Sequence, residues 1–255
     1  MSLAQQPTVG VLIIGDEILK GVVEEANAAF FIKQFRSLGS QLREVSFIPD
    51  EVELIAHHVA DFSARFDTVC TTGGIGPTHD DVTIAGIARA FGVQVVLQEG
   101  LVDRIKDVVG KDFNEGHRRL ALLPEDAELV SGPGLKWPVL KVRNVFVFPG
   151  VPKLLHRKFK AIASHFEGKH YFSAAVTIRS RETEICAELD SIVAAHPQVT
   201  IGSYPRMEGD SWVSRLTVDG FDKSDVQTAH QALETAFQYC VLSVEPLQRS
   251  NEDST

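Results

Sequence analysis

The sequence has few cysteines, no long apolar run and no excess of basic residues. The chain has three cysteines, an odd number, and they lie far apart with no C-x-x-C pair: Cys70, Cys186 and Cys240. This pattern argues against a disulfide framework and favours a reducing compartment, so we expect all three to be small buried side chains. No apolar run approaches the ~18 residues that a membrane span requires, and the first residues lack a basic and apolar leader. We therefore expect a cytoplasmic protein with no membrane partner.

The charge balance is acidic. Over 255 residues, 34 Asp and Glu outnumber 25 Lys and Arg, which gives a formal net charge of −9. A nucleic-acid-binding protein carries a basic footprint, so nucleic acid is not an expected partner. An anionic small molecule would be repelled at long range. Any phosphate-bearing ligand therefore needs favourable local interactions with the residues of its site.

The first two thirds of the chain alternate strands with helices. The apolar run TVGVLII, Thr8–Ile14, predicts a central parallel strand that is covered on both faces. Asn27 is expected to cap a helix that ends at Gly39, and residues 110–138 are expected to be irregular or hairpin-like. The alternation predicts a doubly wound, three-layer α/β domain over residues 1–168.

From residue 169 the order of the elements changes. Strand-like runs at 172–178, 199–204, 212–218 and 239–244 are interrupted by helical periodicity at 182–194 and 225–237. The order βαββαβ is that of a split-βαβ unit. It predicts a smaller α+β ferredoxin-like domain over residues 169–255.

A glycine turn follows the third strand, in TTGGIGPTHDDVT, Thr71–Thr83. Glycines between a strand and a helix expose backbone N–H groups and can hold a phosphate, although a tight turn without ligand is an equally good reading. Asp80 and Asp81 stand directly beside this turn. Carboxylates next to a phosphate cost several kcal/mol unless a divalent cation lies between them. The alternative is that Asp80 or Asp81 caps the next helix.

Further acidic residues follow the first two strands. Asp16 and Glu17 come after the first strand and Asp50 after the second, and adjacent parallel strands bring such ends to one edge of the sheet. Mg²⁺ binds through one or two carboxylates plus substrate phosphates, and a water acidified by it can attack phosphorus. Asp16, Asp50 and Asp81 are thus expected to converge. His79, in the same turn, is a secondary candidate for binding phosphate or donating a proton.

These motifs resemble a known family. GDEILKG with Asn27, IPDE, TTGGIGPTHDDVT and FPGVP together are similar to the molybdopterin-binding (MoaB/Mog-like) domain of competence/damage-inducible protein A and of the N-terminal region of eukaryotic-type FAD synthases. The resemblance spans about Thr8 to Phe166. The later segment VTIGSYP, Val199–Pro205, resembles the FAD synthase region. The resemblance implies a MoaB/Mog-like fold and a homo-oligomer.

The resemblance also implies an activity, namely metal-dependent hydrolysis of a nucleotide pyrophosphate such as FAD, giving FMN and AMP, or ADP-ribose. It implies Mg or Co as the divalent metal, with potassium as an accompanying ion. FAD synthesis is not expected, because the chain stops before any adenylyltransferase domain. The alternative is a non-catalytic molybdopterin- or nucleotide-binding module. The residues implied are Asp81 and Asp50 for catalysis and metal; Gly73, Gly74, Gly76 and Thr78 for phosphate; and Asp16, Glu17 and Asn27 for the pocket wall. From their positions beside the turn and after a strand end on the same edge, Asp80, Pro149 and Gly150 are also expected in the pocket.

Overall fold

The computed structural model describes residues 6–249, and their contacts separate into two units. The first unit ends at Gly168 and the second begins at Lys169, with the short stretch Ser37–Gly39 grouped with the second. Each unit has a hydrophobic core of its own.

The first unit is built on a six-stranded sheet with the order β2-β1-β3-β8-β7-β6. β1 lies between β2 and β3, pairs with both in parallel and is buried from Val9 onward, so the predicted central strand is confirmed. β3 pairs in parallel with β8, and β7 and β6 continue the sheet in antiparallel pairing. The strands are β1 (Thr8–Ile14), β2 (Gln41–Ile48), β3 (Thr68–Thr72), β6 (Glu128–Val130), β7 (Val139–Val142) and β8 (Val145–Phe148).

Helices cover this sheet on both faces, which confirms the three-layer α/β fold. On one face, the ring of Phe31 packs edge-on against Phe148 and Phe159. On the other face, Ile55 and Ile87 belong to the core cluster that includes the strands. The helices are α1 (Asp16–Leu19), α2 (Asn27–Leu38), α3 (Val52–Arg65), α4 (Thr83–Phe91), α5 (Glu99–Val109), α6 (Glu115–Arg119) and α7 (Pro152–Ala161).

The segment 110–138, expected to be irregular or hairpin-like, contains short helices and strands, and its strands pair antiparallel. It holds a short 3₁₀ turn at Gly110–Asp112, helix α6, β6 and the short strand β5 (Leu122–Pro124). β5 pairs antiparallel with β4 (Val95–Leu97) in a separate two-stranded sheet. Strand β7 was missed altogether, because it is only four residues long and interrupted by Lys141, so too little of it carries a strand pattern.

The second unit has the predicted element order, and its sheet is antiparallel with the order β10-β11-β9-β12. Val176, Leu216 and Phe237 are fully buried in its core, between the sheet and the helices. The ferredoxin-like prediction is therefore confirmed. The elements are β9 (Phe172–Ile178), α8 (Glu182–Ala195), β10 (Thr200–Glu208), β11 (Ser211–Gly220), α9 (Lys223–Ala236) and β12 (Val241–Arg249).

The expectation that every cysteine is buried is wrong for two of the three. Cys70 in β3 is fully buried, and this burial raises the pKa of its thiol well above the usual value. Cys186 lies on the solvent side of α8 and is exposed, while Cys240 is partly buried. Within residues 6–249, none of the helices is long and apolar enough to cross a membrane.

Candidate functional site

The glycine turn lies at the carboxyl end of β3 and has a backbone that only glycine tolerates well. Gly73 has φ of +102° and Gly74 has φ of +60°. A Cβ added at Gly73 would collide with the carbonyl oxygen of Ile14 at the end of β1. The Gly73 N–H donates to the carbonyl of Phe148, at the end of β8, at 3.3 Å. The turn is thus pressed between the ends of two neighbouring strands.

Thr83, the first residue of α4, fixes the turn from the helix side. Its hydroxyl donates to the Gly73 carbonyl at 2.9 Å, and its N–H donates to the Gly74 carbonyl at 3.0 Å. The side chain is fully buried. Sequence reasoning missed this residue, although its place at the end of the DDVT segment was a usable signal.

Asp81 closes the turn on itself. One carboxylate oxygen accepts the Gly76 N–H at 2.5 Å, and the other accepts the Thr78 N–H at 2.9 Å and the Thr78 hydroxyl. The alternative that Asp80 or Asp81 caps α4 is wrong, because the N-cap position is Val82 and no side chain caps it. Two of the backbone donors expected to face a phosphate are therefore engaged by Asp81.

Of the three acids expected to converge, Asp16 and Asp50 come together, whereas the hydrogen bonds of Asp81 are to its own turn. The Asp16 N–H donates to Oδ2 of Asp50 at 2.9 Å, and the Asp50 N–H lies 3.4 Å from Oδ1 of Asp16. These contacts join the loops that follow β1 and β2. Oδ1 of Asp50 is buried and has no hydrogen-bond partner. It lies 2.8 Å from the position that a Cβ added at Gly74 would take, so it lines the glycine turn.

The carboxylates around this turn act on one another. Burial raises the pKa of Asp50, and the charges of Glu17, Asp16 and Asp80 raise it too, against the lowering effect of the Asp16 backbone hydrogen bond. The hydrogen bond from Lys20, at 2.6 Å, is the main cause that lowers the pKa of Asp16. Asp80 is exposed and is the turn residue whose charge acts on Asp50. The unfavourable environment of an ionised Asp50 is what a bound cation would relieve.

Asn27 holds the loop after β8 instead of capping α2. Its amide nitrogen donates to the carbonyl of Gly150 at 2.8 Å and to the hydroxyl of Thr72 at 3.3 Å. The Thr72 hydroxyl in turn donates to the Pro149 carbonyl at 2.9 Å. Oδ1 of Asn27 is buried without a partner. Asn27, Pro149 and Gly150 therefore belong to one partly buried network beside the turn, where a Cβ added at Gly150 would be 3.4 Å from Cα of Gly73.

The helix cap expected of Asn27 is supplied by Glu25. The Glu25 carboxylate accepts the N–H of Asn27 at 2.6 Å and that of Ala28 at 3.0 Å. An anionic side chain at a helix start also interacts favourably with the helix dipole. The sequence signal for this cap was an acidic residue two positions before the helix. As a sign of a helix cap it is weaker than an Asn at the first helical position.

The donors at the turn fit a divalent cation that keeps ligands from water and substrate. Among the described residues, no group of three or more His, Cys, Asp and Glu side chains could hold a metal ion. Hard cations prefer carboxylate oxygens, and Mg²⁺ commonly takes only one or two from the protein. Asp50 offers a buried oxygen with no other partner. His79 is almost fully exposed and its Nδ1 lies 3.9 Å from the Asp80 carboxylate, outside this set of donors.

Two open grooves lie away from the turn. One, of about 670 Å³, runs along α9 and is lined by neutral polar side chains such as Gln227, Thr228 and Gln231, with His196. The other, of about 380 Å³, lies between α2 and β2 and includes Arg36. Neither combines glycine amides with carboxylates, so the turn remains the candidate site.

Comparison with known proteins agrees with both units. Residues 10–167 match the family described as a probable molybdopterin binding domain, and residues 170–244 match the FAD synthase middle domain. A protein of Archaeoglobus fulgidus is 35% identical over 224 residues, which cover 88% of this chain and 95% of that protein. A probable FAD synthase of Caenorhabditis briggsae is 29% identical over 262 residues, which cover 92% of this chain and 50% of that protein.

A solved structure supports the fold of the first unit. The crystal structure of the protein CinA from Thermoplasma acidophilum, described as having unknown function, is 28% identical with a TM-score of 0.57. The match covers 63% of this chain and 99% of that one. The chain thus spans nearly all of the archaeal relative but only about half of the FAD synthase relative.

Proposed function

Because the chain belongs to the molybdopterin-binding (MoaB/Mog-like) domain family and carries an FAD synthase middle domain, we propose that it is a metal-dependent nucleotide pyrophosphatase. The substrate is a dinucleotide such as FAD, cleaved to FMN and AMP, or the related ADP-ribose. The proposal concerns hydrolysis alone, and the match covers 50% of the FAD synthase relative.

The observation that carries the proposal is the carboxylate of Asp50. One of its oxygens is buried without a hydrogen-bond partner, beside a glycine turn and next to further carboxylates. An unpartnered buried polar atom costs about 1–3 kcal/mol. A passive pocket for an anion would use Lys or Arg at such a position. A carboxylate there is better explained by a positive ion that binds together with the phosphate.

The residues of the turn have separate roles in this proposal. Gly73 and Gly74 bring the backbone close to the phosphate, and the Asp16 N–H orients Asp50 through Oδ2. Asp50 and Asp81 would hold the divalent metal, which supplies positive charge against the phosphate oxygens and makes a water more acidic. The Asp81 oxygens already accept the N–H groups of Gly76 and Thr78. Of the two acids, Asp50 therefore has the oxygen more readily available to a cation.

The second candidate is a non-catalytic molybdopterin- or nucleotide-binding module. The observation that favours it is the lack, among the described residues, of a cluster of three or more metal-binding side chains. Such a module would bind nucleotide through the glycine turn without cleaving it.

The test is incubation of the purified protein with FAD, ADP-ribose or NADH, each with Mg²⁺, with Co²⁺ or with a chelator, followed by chromatography for AMP. We expect AMP only with metal, and none from the Asp50→Asn variant. Asp61→Asn is the matched control, because it makes the same chemical change on an exposed face of α3. Intact substrates after incubation of the wild-type protein with both metals would favour the binding module.

A further inference from the structure

Positive charge is segregated in this acidic chain. Residues 129–166 contain no Asp or Glu but seven Lys and Arg, so the remaining residues carry a formal charge of −16, seven more negative than the whole chain. Three of the seven have local partners. Lys141 pairs with Glu128, Arg143 lies 3.7 Å from Asp126, and Lys158 donates to two backbone carbonyls.

Three of the remaining cations form a row on helix α7. Lys153, Arg157 and Lys160 are spaced at i, i+4 and i+7, which places them on one face of the helix. All three are exposed, while Leu155 and Phe159 are buried on the opposite face. Within residues 6–249, the side chains of the three make no hydrogen bond or ion pair. We call Lys153, Arg157 and Lys160 the cationic row.

The cationic row begins at the glycine turn. α7 starts at Pro152, two residues after Gly150, which abuts Gly73. Lys153 is three residues from Gly150, at most about 11 Å of extended chain. Arg157 and Lys160 follow about 6 and 10 Å farther along the helix axis. The positive end of the α7 dipole lies at the start of the helix, where the first turn has no acidic residue and no side-chain cap to offset it.

We propose that the cationic row docks and steers a diphosphate-bearing nucleotide to the glycine turn. This inference rests on the proposed function of that turn. A chain of net charge −9 repels such a ligand at long range, and a local row of unpaired cations reverses the potential along one approach. The row is about 10 Å long and offers three cations to the two adjacent phosphates of such a nucleotide. A protein that binds nucleic acid through about six to ten phosphate contacts needs more cations than this row provides.

The experiment compares two triple variants with equal loss of charge. Lys153→Gln, Arg157→Gln and Lys160→Gln together remove the row. Lys33→Gln, Arg104→Gln and Lys111→Gln together are the control, since these residues are exposed and lie outside α7. Circular dichroism melts verify that both variants fold. The readouts are kcat/KM for ADP-ribose from 25 to 500 mM salt, and the affinities for ADP and AMP measured by calorimetry without divalent metal.

We expect the row variant to lose about tenfold or more in kcat/KM at low salt with little change in kcat, because steering raises encounter rates by ten- to a thousandfold. The loss should shrink to about twofold at high salt, since salt screens exposed charges. ADP affinity should fall more than AMP affinity. The control should change by no more than about twofold.

Equal effects of the two triple variants, or a loss that ignores salt, would overturn the proposal. If the wild-type protein hydrolyses nothing, the pyrophosphatase fails, yet the ADP and AMP affinities still decide the role of the row. Tight binding of poly-glutamate by the row with unchanged ADP affinity would assign the row to an acidic macromolecule and refute the docking of nucleotide.

Discussion

Asp50→Asn is expected to stabilise the protein while it abolishes the response to divalent cations. The Asp16 N–H donates to Oδ2 of Asp50, and the oxygen of an asparagine side chain can keep this hydrogen bond. The change removes a negative charge from a partly buried place that Asp16, Glu17 and Asp80 already make negative. A residue retained against stability at such a place indicates a binding role.

The magnitude follows from the charge that the substitution removes. An asparagine whose oxygen keeps the Asp16 hydrogen bond places its neutral NH2 group where Oδ1 lies, so the gain is only the excess cost of a charged over a neutral unsatisfied group. Leaving a buried polar group unsatisfied costs about 1–3 kcal/mol, and more for a charged group. Because Asp50 is only partly buried, we take the low end, a gain of about 1 kcal/mol in the free energy of unfolding. For a protein of this size, that gain raises Tm by about 2–4 °C.

The gain depends on pH with a definite sign. The pKa of Asp50 is raised in the folded state, so the folded protein binds this proton more readily than the unfolded chain. The contribution of Asp50 to stability therefore falls as pH rises from the unfolded pKa through the raised folded pKa. The advantage of the asparagine variant should be present at pH 7 and absent near pH 3, where both states of the wild type are protonated.

The assay is urea and thermal unfolding at pH 3 and pH 7, with and without Mg²⁺ or Co²⁺. A cation that binds only the folded wild type raises its Tm with concentration, and the Asp50→Asn variant should not respond. Asp61→Asn serves again as the control and should respond as the wild type does. The reasoning fails if Asp50→Asn is less stable than the wild type at pH 7 without cation, or if both proteins gain equally from it.

Three further outcomes can be measured by denaturant unfolding, two at the turn and its neighbouring network and one in α7. Gly73→Ala should lower the free energy of unfolding by more than about 3 kcal/mol, because φ is +102° and the added Cβ meets a strand carbonyl. Gly92→Ala, at φ +67° in open space, should lower it by about 1 kcal/mol. Equal losses would refute the close approach of Gly73 to the strand. Asn27→Asp should cost about 3 kcal/mol or more and Asn27→Ala less, because only the carboxylate turns negative charge toward the Gly150 carbonyl. Burial lowers the pKa of Lys158 to about 8, so wild-type stability should rise relative to Lys158→Gln between pH 8 and 10.5, and a flat difference would contradict this.

Local patterns predicted the scaffold well because its elements are long and periodic. β1 reads as a buried parallel strand because seven consecutive apolar or small residues leave no wet face. The element order alone separates the two fold types of the chain. Strand β7 was not predicted, because its four residues are stabilised by pairing with β6 and β8, and the local sequence pattern does not indicate that pairing.

The candidate site was harder to predict because its geometry depends on contacts between distant residues. Asn27 is bonded to Gly150, 123 residues away, and a residue that begins a helix gives no sign of such a partner. Asp81 was expected to face a cation, and the structure differs from that expectation for another reason. Its partners, Gly76 and Thr78, are close in sequence, but a carboxylate in a glycine loop accepts the loop's own N–H groups as readily as it binds a cation.

The position of Asp81 links phosphate and cation in the proposed function. A phosphate that takes the N–H groups of Gly76 and Thr78 must displace the Asp81 carboxylate, since both anions need the same donors. The displaced carboxylate loses three hydrogen bonds, and beside a phosphate only a positive ion compensates that loss. Binding free energies are reciprocal, so the cation should tighten nucleotide binding by the same factor by which the nucleotide tightens cation binding. The acids beside the glycine turn then couple the two ligands, because each ligand removes the cost that opposes the other.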